Sequence, residues 1–433
     1  MSTLHALAKP SGKPGSAGAA LRNQRFRRLW LGSFASNIGT WMQTVVLGSF
    51  VYKLTESTGH PSTYVGIVYF ASLGPILVFG MVGGFLADRL RRGPWIMALQ
   101  AEQGLFSLLL AFIIHASARP NIWAIFACVF AVGIGNAFSG PAWGAVVPSV
   151  VGSEDLPGAL SLNSAMINGS RVVGPALAGL LYPIIGASWI FVLNAVTYAF
   201  VIAAFATVKL PVQERPVGTR SERFMGGLNY ARANPLISRC LLLMLSLSVF
   251  SLSFVGLFPS IAEKSLHLVT KSTTYGWLYA TFGAGAMLGS LAIGTVFTGT
   301  DKAKLVRFGL AGLGITILSF GWLTSVSLAF PVVFVLGAFY FGSTTALMTV
   351  MQSGLIDSVR GRIMALWMMA FGGSVALTST FYGWLFDQLG GRFVLSLGAA
   401  SAFVLSWWSR SLKRSGSANN ASPDQSGPTM LAP

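Results

Sequence analysis

The stretch ASWIFVLNAVTYAFVIAAFATV, residues 187–208, carries no charged side chain over its whole length. An α-helix rises about 1.5 Å per residue and a bilayer's hydrocarbon core is about 30 Å thick, so roughly 20 apolar residues span it. Eleven further apolar runs lie at residues 29–52, 64–87, 95–117, 121–148, 158–184, 239–262, 274–299, 305–325, 328–351, 363–386 and 391–409. The sequence therefore predicts an all-α integral membrane protein with twelve transmembrane helices.

The composition supports a membrane protein over a soluble one. Charged side chains make up 9% of the 433 residues, against about 25% in a typical soluble domain. The net charge of +17 raises the possibility of nucleic-acid binding. The basic residues, however, lie in short loops between apolar runs, where membrane proteins concentrate them. We therefore expect a lipid bilayer, and no nucleic acid, among the partners.

The sequence contains no recognisable enzyme site. Its histidines are scattered over a tail and the ends of the runs, at His5, His60, His115 and His267. It has no G-x-x-x-x-G-K-[ST] loop for nucleotide phosphates, so direct use of ATP is not indicated. We expect a protein that is not an enzyme, with no catalytic residue, metal or cofactor.

The longest polar gap, residues 209–239, divides the runs into six and six. Residues 140–179 also resemble residues 343–383, which favours two related halves with a site between them. The alternative is a chance likeness between glycine-rich helices. The predicted organisation is two pseudo-symmetric six-helix bundles, 25–209 and 238–412, with a central loop at 210–237 and polar tails at 1–24 and 413–433, the second disordered.

The loop charges predict the orientation of the chain. If both termini lie on one side, the opposite side holds few of the 29 basic residues, namely Lys53, Arg119, Lys264, Lys271 and Arg392. Because Lys and Arg concentrate in cytoplasmic loops, we expect both termini and the central loop in the cytoplasm. The predicted location is the cell inner membrane, crossed many times by one chain.

The loop after the second run reads GGFLADRLRRGP, residues 83–94. It resembles the signature loop of the major facilitator superfamily, G-x-L-A-D-R-x-G-R-[RK]. Gly84, Asp88, Arg89 and Arg92 stand at matching positions, and Arg91 replaces a family glycine. The resemblance implies a transporter whose loop gates one face, with Asp88 pairing with an Arg or facing a helix N-terminus. The alternative is an ordinary basic loop with one acid.

The fifth run contains SRVVGPALAG, residues 170–179, which resembles the superfamily's antiporter motif, G-x-x-x-G-P-x-x-G-G. The motif's candidate residues here are Ser170, Arg171, Gly174, Pro175 and Gly179. Small residues at this spacing let two helices touch, and proline bends the helix. The resemblance implies export rather than uptake, and plain helix packing is the alternative.

Two charges lie deep inside runs, and charges at membrane depth usually serve function. Glu102 and Asp88 are the candidate proton-coupling residues, because a carboxylate removed from water binds a proton more readily. Glu102 has a structural alternative as the partner of an arginine. Arg171 has three alternatives: an anionic substrate, Glu102 or Asp88.

The resemblance implies a central cavity lined by the first, fourth, seventh and tenth helices. Their polar and aromatic residues include Asn37, Trp41, Gln43, Thr44, Asn136, Phe254, Tyr340 and Thr344. This lining is neutral and aromatic, which suits a bulky, partly apolar ligand. Packing between helices is the alternative for each residue taken singly.

The first run and residues 140–148 further resemble the branch of enterobactin exporters and macrolide efflux proteins. This implies a proton-coupled, monomeric exporter of a siderophore or amphipathic drug-like molecule, working by alternating access, with protons and a small-molecule substrate as partners. The alternatives are an uptake permease for a small nutrient or peptide-like solute, and a membrane receptor without transport.

Overall fold

The helices of the first half of the chain coincide with the first six predicted runs, apart from one short helix at residues 17–22 in the predicted tail. The computed structural model describes residues 15–208, 210–211, 220–410 and 412. In order, the helices are α1 (Ala17–Arg22), α2 (Gln24–Thr55), α3 (Pro61–Leu73), α4 (Pro75–Arg89), α5 (Arg92–Ala116), α6 (Ile122–Val150) and α7 (Leu156–Thr207). Gly186, with φ 78° and ψ 173°, interrupts α7 and separates the fifth run from the sixth.

The second half repeats this pattern with more interruptions. Its helices are α8 (Arg220–Ala233), α9 (Pro235–Phe250), α10 (Phe258–Ser265), α11 (Thr273–Thr295), α12 (Lys302–Trp322), α13 (Val326–Ser353), α14 (Asp357–Met368), α15 (Ser374–Leu389) and α16 (Gly391–Trp408). The seventh run is broken between α9 and α10, and a π-helical turn at Met369–Gly373 joins α14 to α15. Helix α8 lies inside the predicted central loop.

All twelve predicted runs fall on helices, but fewer helices meet a strict test for a membrane span. Within the described residues, eight do so by length and composition, or nine if the bent pair Gly227–Ala233 and Pro235–Phe250 is one span. Helix α7 is one of these eight helices although it contains two predicted runs. Helix α2 carries Asn37 and Gln43 in its middle, which lowers its mean hydropathy. The fold is thus a bundle of apolar helices, with twelve spans only partly confirmed.

The two halves meet along α3 and α15 and along α7 and α11. We call the end formed by residues 56–60, 117–121, 186, 266–272, 323–325 and 390 the short-loop end. The opposite end, which holds residues 15 and 412, is the terminal end. Glycines bring the backbones together, since Gly66 packs against the carbonyl of Ser379 and Gly383 packs against that of Ser62. Close backbone contact of this kind is typical of membrane helices.

Candidate functional site

Arg171 lies in the middle of the bundle and contacts aromatic rings from both halves. Its guanidinium carbon is 4.2 Å from the ring centroid of Phe341 on α13 and 5.5 Å from that of Trp41 on α2. A guanidinium within about 6 Å of an aromatic face is attracted by the ring's negative charge density. Arg171 therefore links its own half to the other through its side chain.

Small residues determine where Arg171 lies. A Cβ atom added at Gly174 would lie 2.5 Å from the Cβ atom of Trp41, so only glycine lets α7 approach α2 this closely. On the other side, the backbone carbonyl of Arg171 packs against Gly283 of α11. Helix α7 is therefore held between one helix of each half.

Two further residues of the predicted antiporter-like motif, Pro175 and Gly179, lie at the same contact between halves. Gly179 faces Gly276 of α11, and the carbonyl of Pro175 lies against the same glycine. Ser170 is fully buried, and its hydroxyl donates a hydrogen bond to the carbonyl of Met166 at 2.7 Å. The small size of these residues is what allows α7 and α11 to touch.

Arg171 has no carboxylate partner among the side chains that the structure describes. The ionisable groups near its guanidinium are Tyr340, Tyr69 and Tyr279, which are neutral phenols and do not balance its charge. Its Nε atom is buried without a hydrogen-bond acceptor. Because a guanidinium has five N–H donors and accepts nothing, this arginine retains unused capacity for an anion.

Glu102 does not form an ion pair with Arg171, which was one of the pairings considered from the sequence. Its Oε2 atom is buried against Gly135 of α6 and has no hydrogen-bond partner. The side chain of Asp88, the other acid considered, lies outside the described part of the structure. Of the three alternatives for Arg171, only the pairing with Glu102 is removed.

Trp41 and Tyr340 are the predicted cavity residues that lie beside Arg171. Phe254 is 1% exposed, and its ring packs edge-on against Tyr340 with 6.1 Å between centroids. Thr344 is also buried, and its hydroxyl donates to the carbonyl of Phe341 at 3.1 Å. Phe254 and Thr344 thus belong to a packed aromatic cluster in this conformation.

Two other predicted cavity residues bond within their own helix. Asn37 donates to the carbonyl of Ser33, and Thr44 donates to that of Thr40, both at 2.8 Å. Asn136 is half-buried on α6. A cavity of about 30 Å³ lies beyond Arg171 toward the short-loop end, lined in part by Thr44, Tyr69, Gly256 and Tyr279. It holds roughly one water molecule, so the bundle is nearly sealed here.

Gln43 lies in a buried polar network instead of on an open surface. Its Oε1 atom accepts hydrogen bonds from Ser107 at 3.1 Å and from Asn194 at 2.7 Å. The Nδ2 group of Asn194 also reaches the hydroxyl of Tyr198 at 3.4 Å. This network joins α2, α5 and α7 within the first half, and sequence reasoning did not identify Ser107 or Asn194.

The predicted gating loop is short. Helix α4 ends at Arg89, Leu90 is extended, and α5 begins at Arg92. Gly83, the neighbour of the predicted Gly84, packs against the carbonyl of Ala137 on α6. The side chain of Asp88 is outside the described residues, so its gating role remains a prediction.

Two buried carboxylates of the second half hold the short-loop end closed. Asp387 accepts hydrogen bonds from the backbone N–H of Ser62 at 3.2 Å and from Lys264 Nζ at 2.8 Å. Glu263 pairs with Lys53 of α2 at 3.2 Å and accepts two bonds from Thr270, both at 2.8 Å. We call these two sets of contacts the carboxylate clamps. The sequence analysis did not identify either acid.

A chain of hydroxyls extends the second clamp into the first half. Ser49 of α2 donates to Thr270 Oγ1 at 2.6 Å, and Thr270 Oγ1 in turn donates to Glu263. All three side chains are shielded from water or nearly so. Hydrogen bonds to an ionised acceptor in such surroundings are stronger than those between neutral groups. The short-loop end therefore has specific polar contacts between halves, in addition to helix packing.

Comparisons with known proteins agree with this architecture. The family described as transmembrane secretion effector matches residues 15–428. The enterobactin exporter EntS of Escherichia coli is 25% identical over 345 residues, covering 79% of this chain and 80% of the relative. EntS of Shigella boydii serotype 18 is 26% identical with the same coverage.

Solved structures show the same fold at low sequence identity. A bacterial homologue of the lysosomal transporter Spinster, inward-facing and unoccupied, has a TM-score of 0.72 and 14% identity, covering 93% of this chain and 99% of that one. The nucleoside transporter NupG has a TM-score of 0.69 and 14% identity, covering 90% and 99%. The chain therefore belongs to the transmembrane secretion effector family of the major facilitator superfamily, whose members are transporters and not enzymes.

Proposed function

We propose that this transporter exports a siderophore or another amphipathic small molecule across the inner membrane, in exchange for protons. The observation that carries the proposal is the arrangement of the interface between halves. It is clamped at the short-loop end, and Arg171 bridges the two halves at mid-depth. Alternating access requires two such halves rocking about a central site.

The direction of transport rests on the relatives and on the motif in α7. The enterobactin exporters match four-fifths of their own length to this chain. Helix α7 carries the antiporter-like residues at the contact with α11, where rocking would change the packing. Both features support export.

The orientation rests on the loop charges. The short-loop end holds Lys53, Arg119, Lys264, Lys271 and Arg392, whereas the other basic loop residues lie toward the terminal end and the tails. By the positive-inside rule the terminal end faces the cytoplasm. The clamped short-loop end is then the outer gate, and this conformation is closed to the outside.

Glu102 is the acid proposed to carry the proton. It lies ten residues into α5, about 15 Å along the helix axis, and its Oε2 atom has no hydrogen-bond partner. A carboxyl group that keeps one oxygen free of hydrogen bonds at this depth is available to bind and release a proton. Glu102 packs against Gly135 of α6, whereas Arg171 packs against α11. The proposed proton site and Arg171 are therefore separate sites in the first half.

Everted membrane vesicles with an acidic interior test the proposal. Vesicles that contain the protein should accumulate labelled enterobactin, the compound that appears in the names of its relatives. A protonophore should abolish this accumulation. Vesicles lacking the protein provide the baseline. An uptake permease would instead raise accumulation in whole cells, whereas an exporter lowers it. If neither this compound nor a panel of amphipathic anions and cations moves with the gradient, the proposed coupling is wrong.

A further inference from the structure

Arg171 lies at the middle of its membrane helix. It is 15 residues from Leu156 and 15 from Gly186, the two ends of the first part of α7, which is about 22 Å in either direction. Lipid headgroups are therefore far away. A charged group at this depth needs compensation from its surroundings.

The compensation that the structure provides is incomplete. Phe341 and Trp41 offer their ring faces, and the three nearby tyrosines are neutral. Aromatic rings attract the positive charge but offer no hydrogen-bond acceptor in the plane of the guanidinium. The Nε of Arg171 is buried without an acceptor. Among the described side chains no carboxylate balances the charge. The site is complementary to an anion.

We infer that Arg171 is the anion-recognition residue of the transport site, binding the carboxylate, sulfonate or phenolate of an amphipathic aromatic molecule. The rings of Trp41 and Phe341 flank the guanidinium and form apolar surfaces for the substrate's own ring. The planar guanidinium can bind such an anionic group with two parallel hydrogen bonds. This inference rests on the proposed function and specifies its substrate class.

The two aromatic contacts belong to different halves. Trp41 and Arg171 both lie in the first half and are joined by the Gly174 contact, so they move together. Phe341 lies on α13 in the second half, 4.2 Å from the guanidinium. Rocking of the halves therefore preserves the first contact and breaks the second. An anion bound to Arg171 then compensates the charge when the Phe341 ring moves away.

This inference is tested by comparing the equilibrium binding of two matched ligands, a measurement that needs no proton gradient. The ligands are 1-naphthoate, which is an anion, and 1-naphthamide, which is neutral and nearly the same shape. Titration calorimetry is performed on the full chain in zwitterionic lipid nanodiscs. We expect naphthoate to bind the unmodified protein about tenfold more tightly than naphthamide. In Arg171→Gln, naphthoate should lose about tenfold in affinity while naphthamide stays within about twofold.

Arg307→Gln is the matched control, because Arg307 also stacks on a ring, at 5.7 Å from Phe308, but on α12 near the terminal end. It should change neither affinity by more than about twofold. Arg171→Lys keeps the charge and should retain part of the naphthoate preference. Naphthamide binding shows that each variant is folded.

Equal affinity for both ligands in the unmodified protein contradicts the inference, as does absence of naphthoate binding. So does unchanged naphthoate binding in Arg171→Gln, and so does an equal loss of naphthoate affinity in Arg171→Gln and Arg171→Lys. A similar loss in Arg307→Gln also contradicts it. These outcomes are separable from failure of the proposed function. A protein that drives proton-coupled export yet binds only neutral ligands refutes the anion site alone.

Discussion

The carboxylate of Asp387 on α15 accepts hydrogen bonds from both the backbone N–H and the hydroxyl of Thr63, at 2.8 and 2.9 Å. It thereby caps the first turn of α3, a helix of the opposite half. The side chain of Asp387 is fully shielded from water. A negative charge at a helix N-terminus is favourable, and burial strengthens the interaction. Closure of the short-loop end thus depends on a cap that one half supplies to the other.

Asp387→Asn should loosen this closure. The amide removes the charge and replaces one acceptor by a donor, which costs about 1–3 kcal/mol where a buried partner is left unsatisfied. The reporter is a cysteine introduced at Thr44, on the inner side of the closed short-loop end. Cys128 and Cys240 are replaced by alanine so that this cysteine alone is labelled. Its labelling by a water-soluble maleimide should accelerate about tenfold.

Glu154→Gln is the control for this measurement. Glu154 is exposed and precedes α7 at the terminal end, away from both carboxylate clamps. In this control variant, the cysteine at position 44 should be labelled at the same rate as in the parent. Equal acceleration in both variants would show that Asp387 has no specific role in closure.

Gly179→Val should prevent the short-loop end from closing. A Cβ atom at this position would lie 2.6 Å from the Cα atom of Gly276, so α7 and α11 must separate. Transport should fall to the background of vesicles without the protein. Gly140→Ala on α6 is the matched control, since nothing lies within 4 Å of its added Cβ atom. Normal transport by Gly179→Val would show that the close contact between α7 and α11 is not required for transport.

Asn194→Leu should destabilise the first half. It removes one of the two hydrogen bonds to the buried Oε1 of Gln43, and such a bond contributes about 0.5–1.5 kcal/mol. The unfolding temperature in detergent should fall, and the double variant with Gln43→Leu should be less destabilised than the two effects added. Asn168→Leu is the control, because Asn168 is half-buried and its side chain bonds within its own helix. A strictly additive result would indicate that the two amides act independently.

Glu102→Gln should separate coupling from transport. Substrate exchange down its own gradient should continue, because Arg171 and its rings are unchanged. Accumulation driven by an acidic vesicle interior should disappear, since an amide binds no proton. Glu154→Gln, the same change at an exposed acid outside the runs, should behave as the parent. Proton-driven accumulation that survives in Glu102→Gln would assign coupling to another acid.

The positions of the helices could be predicted from the sequence because lipid imposes a simple rule. Backbone groups in hydrocarbon must be satisfied internally, so a long apolar run forms a helix. The ends agree within a few residues, and even the break in α7 falls between two predicted runs, at Gly186. Arg171 and Glu102 were identified because a charge in an apolar run is rare.

The partners of those charges could not be predicted. With 31 phenylalanines in the chain, nothing in the local sequence distinguishes Phe341 as the ring that meets Arg171. Hydropathy does not tell which face of a membrane helix meets the other half, because lipid and protein interior are similarly apolar. Asp387 was overlooked for a related reason. It lies just past the predicted end of its run, where an acid resembles an ordinary loop charge.

The distance across the short-loop end tests the account most directly. Spin labels at Thr58 and Thr324, exposed positions on opposite halves, report that distance by pulsed electron resonance. The account predicts one short distance at rest and a second, longer one when Asp387→Asn weakens the clamp or when substrate is supplied during proton-driven turnover. A single unchanged distance in all these conditions would contradict it, because the outer gate would then never open.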